Sequence, residues 1–236
     1  MTRQTTKSPF WMGCRDAAPF LLVVGPFAVL LGVEATEDGL NLLQTMTFSF
    51  LVIAGAAQLT GLQLMVDQAP VLVVLASALA VNLRMAMYSA SLTPYLGGAP
   101  LWTRALAAYF IVDQSYGLSV LKFEQNPGWT LGQRLAYFWG TVAPVCPFWY
   151  VFTMVGALIG TSIPESFALD FALPICFLAI ITPMLRTRAH LAAALVSIVL
   201  ALIFAGLPYN MGLLVAGIAG MMTGAEVERR TEVAHD

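Results

Sequence analysis

The stretch "PVLVVLASALAVNLRMAMYSASL" (residues 70–92) decides the fold class of this chain. It begins with proline, which suits the first position of a helix, and Arg84 is its only charged residue. A helix of about 20 mostly apolar residues is long enough to cross the hydrocarbon core of a bilayer. The stretch therefore predicts a membrane-spanning helix that carries an arginine within the bilayer.

The composition of the whole chain agrees with this prediction. Of its residues, 59% are hydrophobic and 10% are charged, against about 25% charged in an ordinary soluble domain. The net charge of −2 and the absence of a lysine or arginine cluster exclude nucleic acid as a partner. Three cysteines and two histidines without metal-ligand spacing predict neither a metal site nor a cofactor. We therefore predict an all-α integral membrane protein in the lipid bilayer.

Apolar runs predict a helical bundle of about eight spans, some of them broken. The runs are 17–33, 42–66, 70–92, 104–121, 137–160, 167–185 and 191–225. As one helix, 191–225 would extend far beyond the roughly 30 Å hydrocarbon core, so "GLPYN" (206–210) is predicted to separate two short helices. These helices either both span or form a re-entrant pair, which leaves seven spans plus a re-entrant segment as the alternative. A polar segment, 122–134, connects the fourth and fifth runs.

The basic residues beside the spans predict the orientation. With eight spans and a cytoplasmic N-terminus, every basic residue outside the spans except Arg104 lies on the cytoplasmic side. We therefore predict a single permease domain over 1–236, with a cytoplasmic N-terminal segment (1–16) and a cytoplasmic tail (226–236). Arginine and Pro-Phe in similar positions of the two halves also predict a weak internal repeat, as in many secondary transporters.

Polar residues in the third and fourth runs point to a site. Two sets have helical spacing, so each shares one helix face: Ser77, Arg84, Tyr88, Ser91 and Tyr95 on the third, and Tyr109, Asp113 and Tyr116 on the fourth. An arginine at helix centre costs about 2.5–3.5 kcal/mol to insert, so Arg84 is predicted to face the bundle interior and to pair with Asp113. The pair is either a static contact that fixes helix register or part of a substrate or proton pathway.

The second run contains "AGAAQLTG" (54–61), whose small residues permit close helix packing or local unwinding. Unwound backbone at Gly55, Ala56, Ala57 and Gln58 would suit the carboxylate and ammonium of an amino acid. Asn82 points away from the Arg84 face and is predicted to support the second span. The aromatic and methionine residues of the fifth and eighth spans are read as packing or interfacial residues.

Four motifs in chain order resemble the AzlC family, the large subunit of bacterial branched-chain amino acid exporters. They are "GCRDAAPFLLVVGPF" (13–27), "FLVIAGAAQL" (50–59), "VNLRMAMYSASLTPYL" (81–96) and "AYFIVDQSYGL" (108–118). The resemblance implies a permease of the bacterial inner membrane that works with a small AzlD-type subunit. It also implies proton-coupled export of valine, leucine, isoleucine and methionine.

The resemblance also implies roles for individual residues. Positions that match family motifs give the candidate substrate-binding residues Gly55, Gln58, Asn82, Arg84 and Tyr88. Ala56 and Ala57 join this set because they lie in the same small-residue segment. Asp113, Arg15 and Asp16 are the candidate coupling or gating residues. The chain has Gln114 where the family commonly has an acid and Met85 where it often has histidine. Proton coupling would therefore differ here or rest on Asp113 alone.

Other classes of function remain as alternatives at this point. A non-transporting scaffold, a channel or a transporter of another small amphiphilic metabolite would share the same spans. An enzyme would need clustered acidic, histidine or cysteine groups on facing helices, whereas this chain offers isolated Asp113 and Asp170. We therefore expect that the protein is not an enzyme.

Overall fold

The computed structural model describes residues 8–160, 185, 187–207 and 211–233. These residues form α-helices and contain no strand, which confirms the all-α prediction for this part of the chain. The helices are α1 (Pro9–Ala17), α2 (Leu21–Glu37), α3 (Leu42–Leu51), α4 (Gly55–Val66), α5 (Val71–Leu96), α6 (Leu101–Tyr109), α7 (Asp113–Gln125), α8 (Leu131–Gly160), α9 (Arg188–Ile203) and α10 (Met211–Val233). Apart from Leu185, the predicted sixth span at 167–185 lies outside the described residues.

The chain divides into two compact units. The first contains the described residues of 1–59 and 81–168, and the second those of 60–80 and 169–236. Two of the three boundaries fall within α4 and α5, and the third lies outside the described residues. The single permease domain over 1–236 stays a prediction.

Close backbone packing between the N-terminal helices and α8 forms the core of the first unit. The segment Pro9–Glu37 is almost continuously helical, with one 3-10 turn at Ala18–Phe20. A Cβ atom at Gly32 would overlap the carbonyl oxygen of Thr153, and one at Gly156 would overlap that of Val29. Small residues of this kind let two membrane helices approach until their backbones touch.

Four helical segments in the described part of the chain are long and apolar enough to cross a membrane. They are Pro9–Glu37, Val71–Leu96, Leu131–Gly160 and Met211–Thr231. The predicted count of about eight spans is therefore not confirmed. Breaks account for part of the difference, because the runs 42–66 and 104–121 each form two shorter helices.

Two predicted helix ends were wrong. Helix α5, which corresponds to the third predicted span, continues past Pro94 and ends at Leu96. The amide of Gly97 donates to the Thr93 carbonyl and completes its last turn. Helix α8, which corresponds to the fifth predicted span, starts at Leu131 rather than at 137. Thr130 precedes its first turn, and the Thr130 amide donates to Gln133 Oε1 at 2.9 Å. Much of the predicted polar connection is therefore helical.

In the second unit, α9 and α10 form an antiparallel pair. Ser197 Oγ donates to the Ala216 carbonyl at 3.2 Å, and Gly224 packs against Ala193. The chain reverses between Ile203 and Met211, where a break was predicted at 206–210; only residues 206 and 207 of that break are described. At 16 residues, α9 is about 24 Å long, shorter than the hydrocarbon core.

Candidate functional site

Two broken helices meet in the first unit. The first break, residues 52–54, separates α3 from α4, and the second, residues 110–112, separates α6 from α7. Tyr109 ends α6, and its hydroxyl donates a hydrogen bond to the carbonyl of Phe50 near the end of α3. Ile53 and Ile111 belong to the same apolar cluster. The two breaks therefore lie side by side.

Aromatic residues of α8 hold the end of α3 at this junction. Trp149 Nε1 donates to the buried Ser49 Oγ at 2.9 Å. The ring of Tyr150 stacks on Phe50 with centroids 4.2 Å apart, and its hydroxyl lies 3.3 Å from that of Tyr109. This part of α8 thus fixes the position of the first break as well as packing in the core.

A group of four residues from α5 and α7, the Arg84 cluster, lies beside the breaks: Arg84, Tyr88, Asp113 and Tyr116. Arg84 Nη1 is 3.3 Å from Asp113 Oδ2, and Tyr88 Oη donates to Asp113 Oδ1 at 2.9 Å. The rings of Tyr88 and Tyr116 stack with centroids 4.0 Å apart, and Tyr116 Oη donates to Ser91 Oγ at 3.1 Å. The predicted pairing of Arg84 with Asp113 is confirmed.

The surroundings of Asp113 differ from the prediction. Asp113 is the first residue of α7 rather than the middle of a continuous helix, and Ser115 Oγ accepts a hydrogen bond from the Val112 amide there. The helix dipole favours a carboxylate at this end. The break also separates Asp113 from Tyr109, so the face predicted for Tyr109, Asp113 and Tyr116 does not exist. Tyr109 contacts α3 and α8 instead.

Several buried polar atoms have no hydrogen-bond partner among the described residues. They include Arg84 Nε, Gln58 Oε1 and Asn82 Oδ1. More than nine in ten buried polar groups in proteins are paired, so these atoms call for an explanation. The side chains of Arg84 and Asp113 are 32% and 33% exposed, which leaves the pair reachable. Arg84 therefore contacts Asp113 while its buried Nε–H group has no acceptor among the described residues.

The segment Gly55–Gln58 is helical, so of the two alternatives left open by the sequence, close packing and local unwinding, the structure shows close packing. It forms the first turn of α4, and the amide of Gln58 donates to the Ala54 carbonyl at 3.0 Å. A Cβ at Gly55 would overlap the Phe27 ring and lie 2.8 Å from Trp149, so packing explains this glycine. Gln58 is 1% exposed, and Ala57 is also buried. The unwound residues are instead those just before Gly55.

A second polar group, the Asp16 cluster, joins three helices: Asp16 of α1, Lys122 of α7 and Tyr137 of α8. Asp16 Oδ2 accepts from Lys122 Nζ at 3.2 Å and from Tyr137 Oη at 3.0 Å. The exposed Arg15 places Nε 3.8 Å from Asp16 Oδ1. Sequence reasoning missed Lys122 and Tyr137. Nine residues of helix separate Lys122 from Asp113, a rise of about 14 Å, so the two clusters are distinct.

A groove with a cavity volume of about 390 Å³ runs along α5 and α6. Most of its lining is aliphatic, including Leu92, Leu96 and Ile111. Ser89 Oγ, also in the lining, donates to the Met85 carbonyl at 2.9 Å, so its hydroxyl is satisfied. The groove thus offers an apolar surface that extends to the second break.

Two broken helices meet beside an ion pair whose arginine lies on a helix long enough to cross a membrane, an arrangement known from membrane transporters. The sequence profile of the AzlC protein family matches residues 19–163, and the chain belongs to this family. It is 24% identical over 228 residues to the inner membrane protein YgaZ of Escherichia coli (strain K12). The aligned region covers 91% of this chain and 87% of that protein. No solved structure matches the chain. Family and relative indicate a membrane protein with a role in membrane transport.

Proposed function

We propose that the protein is the large subunit of a secondary exporter of branched-chain amino acids. Its substrates are valine, leucine, isoleucine and methionine, which it moves across the inner membrane in exchange for protons with a small AzlD-type subunit. The observation that carries the proposal is Arg84, which pairs with Asp113 through Nη1 while its buried Nε has no partner among the described residues.

In this mechanism, the substrate carboxylate accepts a hydrogen bond from Arg84 Nε. While the substrate is bound, the ionised Asp113 carboxylate lies beside Arg84 and attracts the substrate ammonium. A proton that binds Asp113 removes this attraction, so Asp113 takes up a proton as the substrate leaves. Loss of that proton on the other side of the membrane prepares the site for the next substrate. Tyr88 supports both states, because its hydroxyl bonds to the Asp113 oxygen that does not face Arg84.

The substrate also has an ammonium group and an aliphatic side chain. The buried amide oxygen of Gln58 has no partner among the described residues, and an ammonium can donate to such an acceptor. Most of the lining of the groove along α5 and α6 is leucine, isoleucine and alanine, which suit a branched aliphatic group, and its polar members are Ser89, Thr93 and Arg104. These features support an apolar amino acid over a more polar metabolite.

The alternatives fit these features less well. A channel selects ions by rings of carbonyls or charged side chains, whereas the site here is one ion pair beside two helix breaks. A scaffold has no need of a partly exposed intramembrane pair with an unused donor. Alternating access around a fixed site uses both features.

The test is to measure intracellular valine, leucine and methionine in cells fed the corresponding dipeptides. The chain and its small partner are expressed separately and together. We expect lower pools only when both are present, and saturable, pH-dependent efflux in vesicles from these cells. Unchanged pools in every combination would reject the proposed substrates, and efflux that does not saturate would favour a channel.

A further inference from the structure

Helix α7 is held at its two ends by charged side chains of opposite sign. At its start, Asp113 contacts Arg84 and Tyr88 of α5. Toward its end, Lys122 contacts Asp16 of α1 and lies 5.6 Å from the centre of the Tyr137 ring of α8. One half-helix therefore links the Arg84 cluster to the helices of the core.

The two ends of α7 differ in how firmly they are packed. Next to Lys122, Phe123 is fully buried, with its ring centroid 5.4 Å from that of Tyr95 and 6.3 Å from that of Tyr137. Nearer the start, the buried residues are Ser115 and Ser119, which bury little apolar surface. The Lys122 end is thus the anchored one.

The start of α7 is also uncoupled from the preceding helix. Residues 110–112 interrupt the helix between Tyr109 and Asp113, so α6 does not fix the direction of α7. Gly117, midway along α7, is open: a Cβ built there meets no heavy atom within 4 Å. Movement at this end would break the contacts of Asp113 and the Tyr88–Tyr116 ring stack and would shift partly buried side chains, whereas the fully buried Phe123 would keep its packing.

We propose that Asp16, Lys122 and Tyr137 are positioning residues for transport. They fix the anchored end of α7, so that the helix pivots there and Asp113 swings toward and away from Arg84. That this movement of Asp113 serves transport rests on the proposed function. Lys122 and Tyr137 receive their positioning roles from their contacts with Asp16.

The experiment measures maleimide labelling of Gly117→Cys in membranes that contain the full chain and its small partner. The native cysteines are first replaced by alanine: Cys14, Cys146 and Cys176. Labelling is measured without substrate and with leucine, and efflux is recorded in the same vesicles. The test variants are Lys122→Gln and Tyr137→Phe. Lys122→Arg keeps the charge, and Glu124→Gln removes an exposed charge from the same helix.

We expect Lys122→Gln and Tyr137→Phe to change the labelling rate without substrate several-fold, and Lys122→Arg and Glu124→Gln to leave it near that of the parent. In the parent, leucine should alter the rate; in Lys122→Gln this response and the maximal efflux rate should fall together. If Lys122→Gln and Tyr137→Phe both label and transport like the parent, the pivot is overturned. A changed basal rate without any leucine response in the parent would support the pivot and reject leucine as substrate. Should Lys122→Gln fail to reach the membrane, Tyr137→Phe decides.

Discussion

The hydroxyl of Tyr109, the last residue of α6, donates a hydrogen bond to the main-chain carbonyl of Phe50, one residue before α3 ends. A helix end leaves its last carbonyls without intrahelical partners, and lipid offers none. The hydroxyl at the end of α6 therefore supplies a hydrogen-bond partner for a carbonyl at the end of α3. It brings the two breaks together and places Asp113, four residues after Tyr109, where α7 begins.

Tyr109→Phe should weaken this junction. The substitution keeps the ring but removes the donor to the Phe50 carbonyl, which costs about 0.5–1.5 kcal/mol for a neutral hydrogen bond. We expect lower thermal stability in detergent and slower efflux. Tyr150→Phe is the matched control, because it keeps the stacking on Phe50 and loses only a 3.3 Å hydroxyl contact. Equal effects of the two substitutions would argue against a special role for the Phe50 bond.

Arg84→Ala should abolish the proposed amino acid efflux while the protein still assembles with the proposed small subunit. The substitution removes the guanidinium that is proposed to bind the substrate carboxylate, and only 6% of the most apolar window of α5 is buried, so little packing should be lost. Dipeptide-fed cells report efflux, and co-purification of the small subunit reports assembly. Arg229→Gln is the control, since Arg229 is exposed and bonds to Glu226 of its own helix. Efflux retained in Arg84→Ala would remove the carboxylate site.

Asp113→Asn should uncouple export from the proton gradient. The asparagine oxygen still accepts from Tyr88, whereas the group no longer binds and releases a proton. In vesicles, we expect leucine exchange in the absence of a gradient to continue and acceleration by an imposed pH gradient to disappear. If the gradient still accelerates Asp113→Asn, another group carries the proton.

The sequence allowed the Arg84–Asp113 pair to be predicted because two opposite charges stand out in neighbouring apolar runs. The breaks could not be located in the same way. Residues 52–54 and 110–112 are apolar and contain no glycine or proline, so they look like helix interior. The glycine chosen instead, Gly55, is explained by the Phe27 and Trp149 rings, contacts that depend on tertiary packing. Asp113 with Ser115 two residues later was an available signal for a helix start.

The Asp16 cluster was hidden for a different reason. Lys122 was assigned to a polar connection, and Tyr137 was the first residue of a span, so neither stood out from its neighbours. Their contacts with Asp16 join residues more than a hundred positions apart in the sequence. No local pattern reports such a distance. The contact does require Asp16 and Lys122 to lie at the same end of the helices, as the predicted orientation also requires.

Gln58→Leu should change stability and activity in opposite directions. The Gln58 amide oxygen is buried and has no partner among the described residues, a situation that costs about 1–3 kcal/mol. Leucine removes that cost at similar size, so we expect a higher unfolding temperature in detergent but slower efflux, because an acceptor for the substrate ammonium is lost. Gln63→Leu on the exposed side of α4 should change neither quantity much. A lower unfolding temperature for Gln58→Leu would mean that the amide is satisfied in the folded protein.

Gly156→Val should prevent the first unit from packing. A side chain at this position overlaps the Val29 carbonyl, and neither backbone can retreat, because Gly32 and Thr153 are in contact in the adjacent turn. Overpacking a core costs about 1–3 kcal/mol, and a collision with backbone is at the upper end of that range. We expect little folded protein by size-exclusion chromatography of membrane extracts. Gly132→Ala is the control in the same helix, at a position where an added Cβ meets no heavy atom within 4 Å. Because alanine favours helix over glycine, this variant should fold at least as well as the native chain. Comparable yields of the two variants would contradict the close approach of α2 and α8 that forms the core.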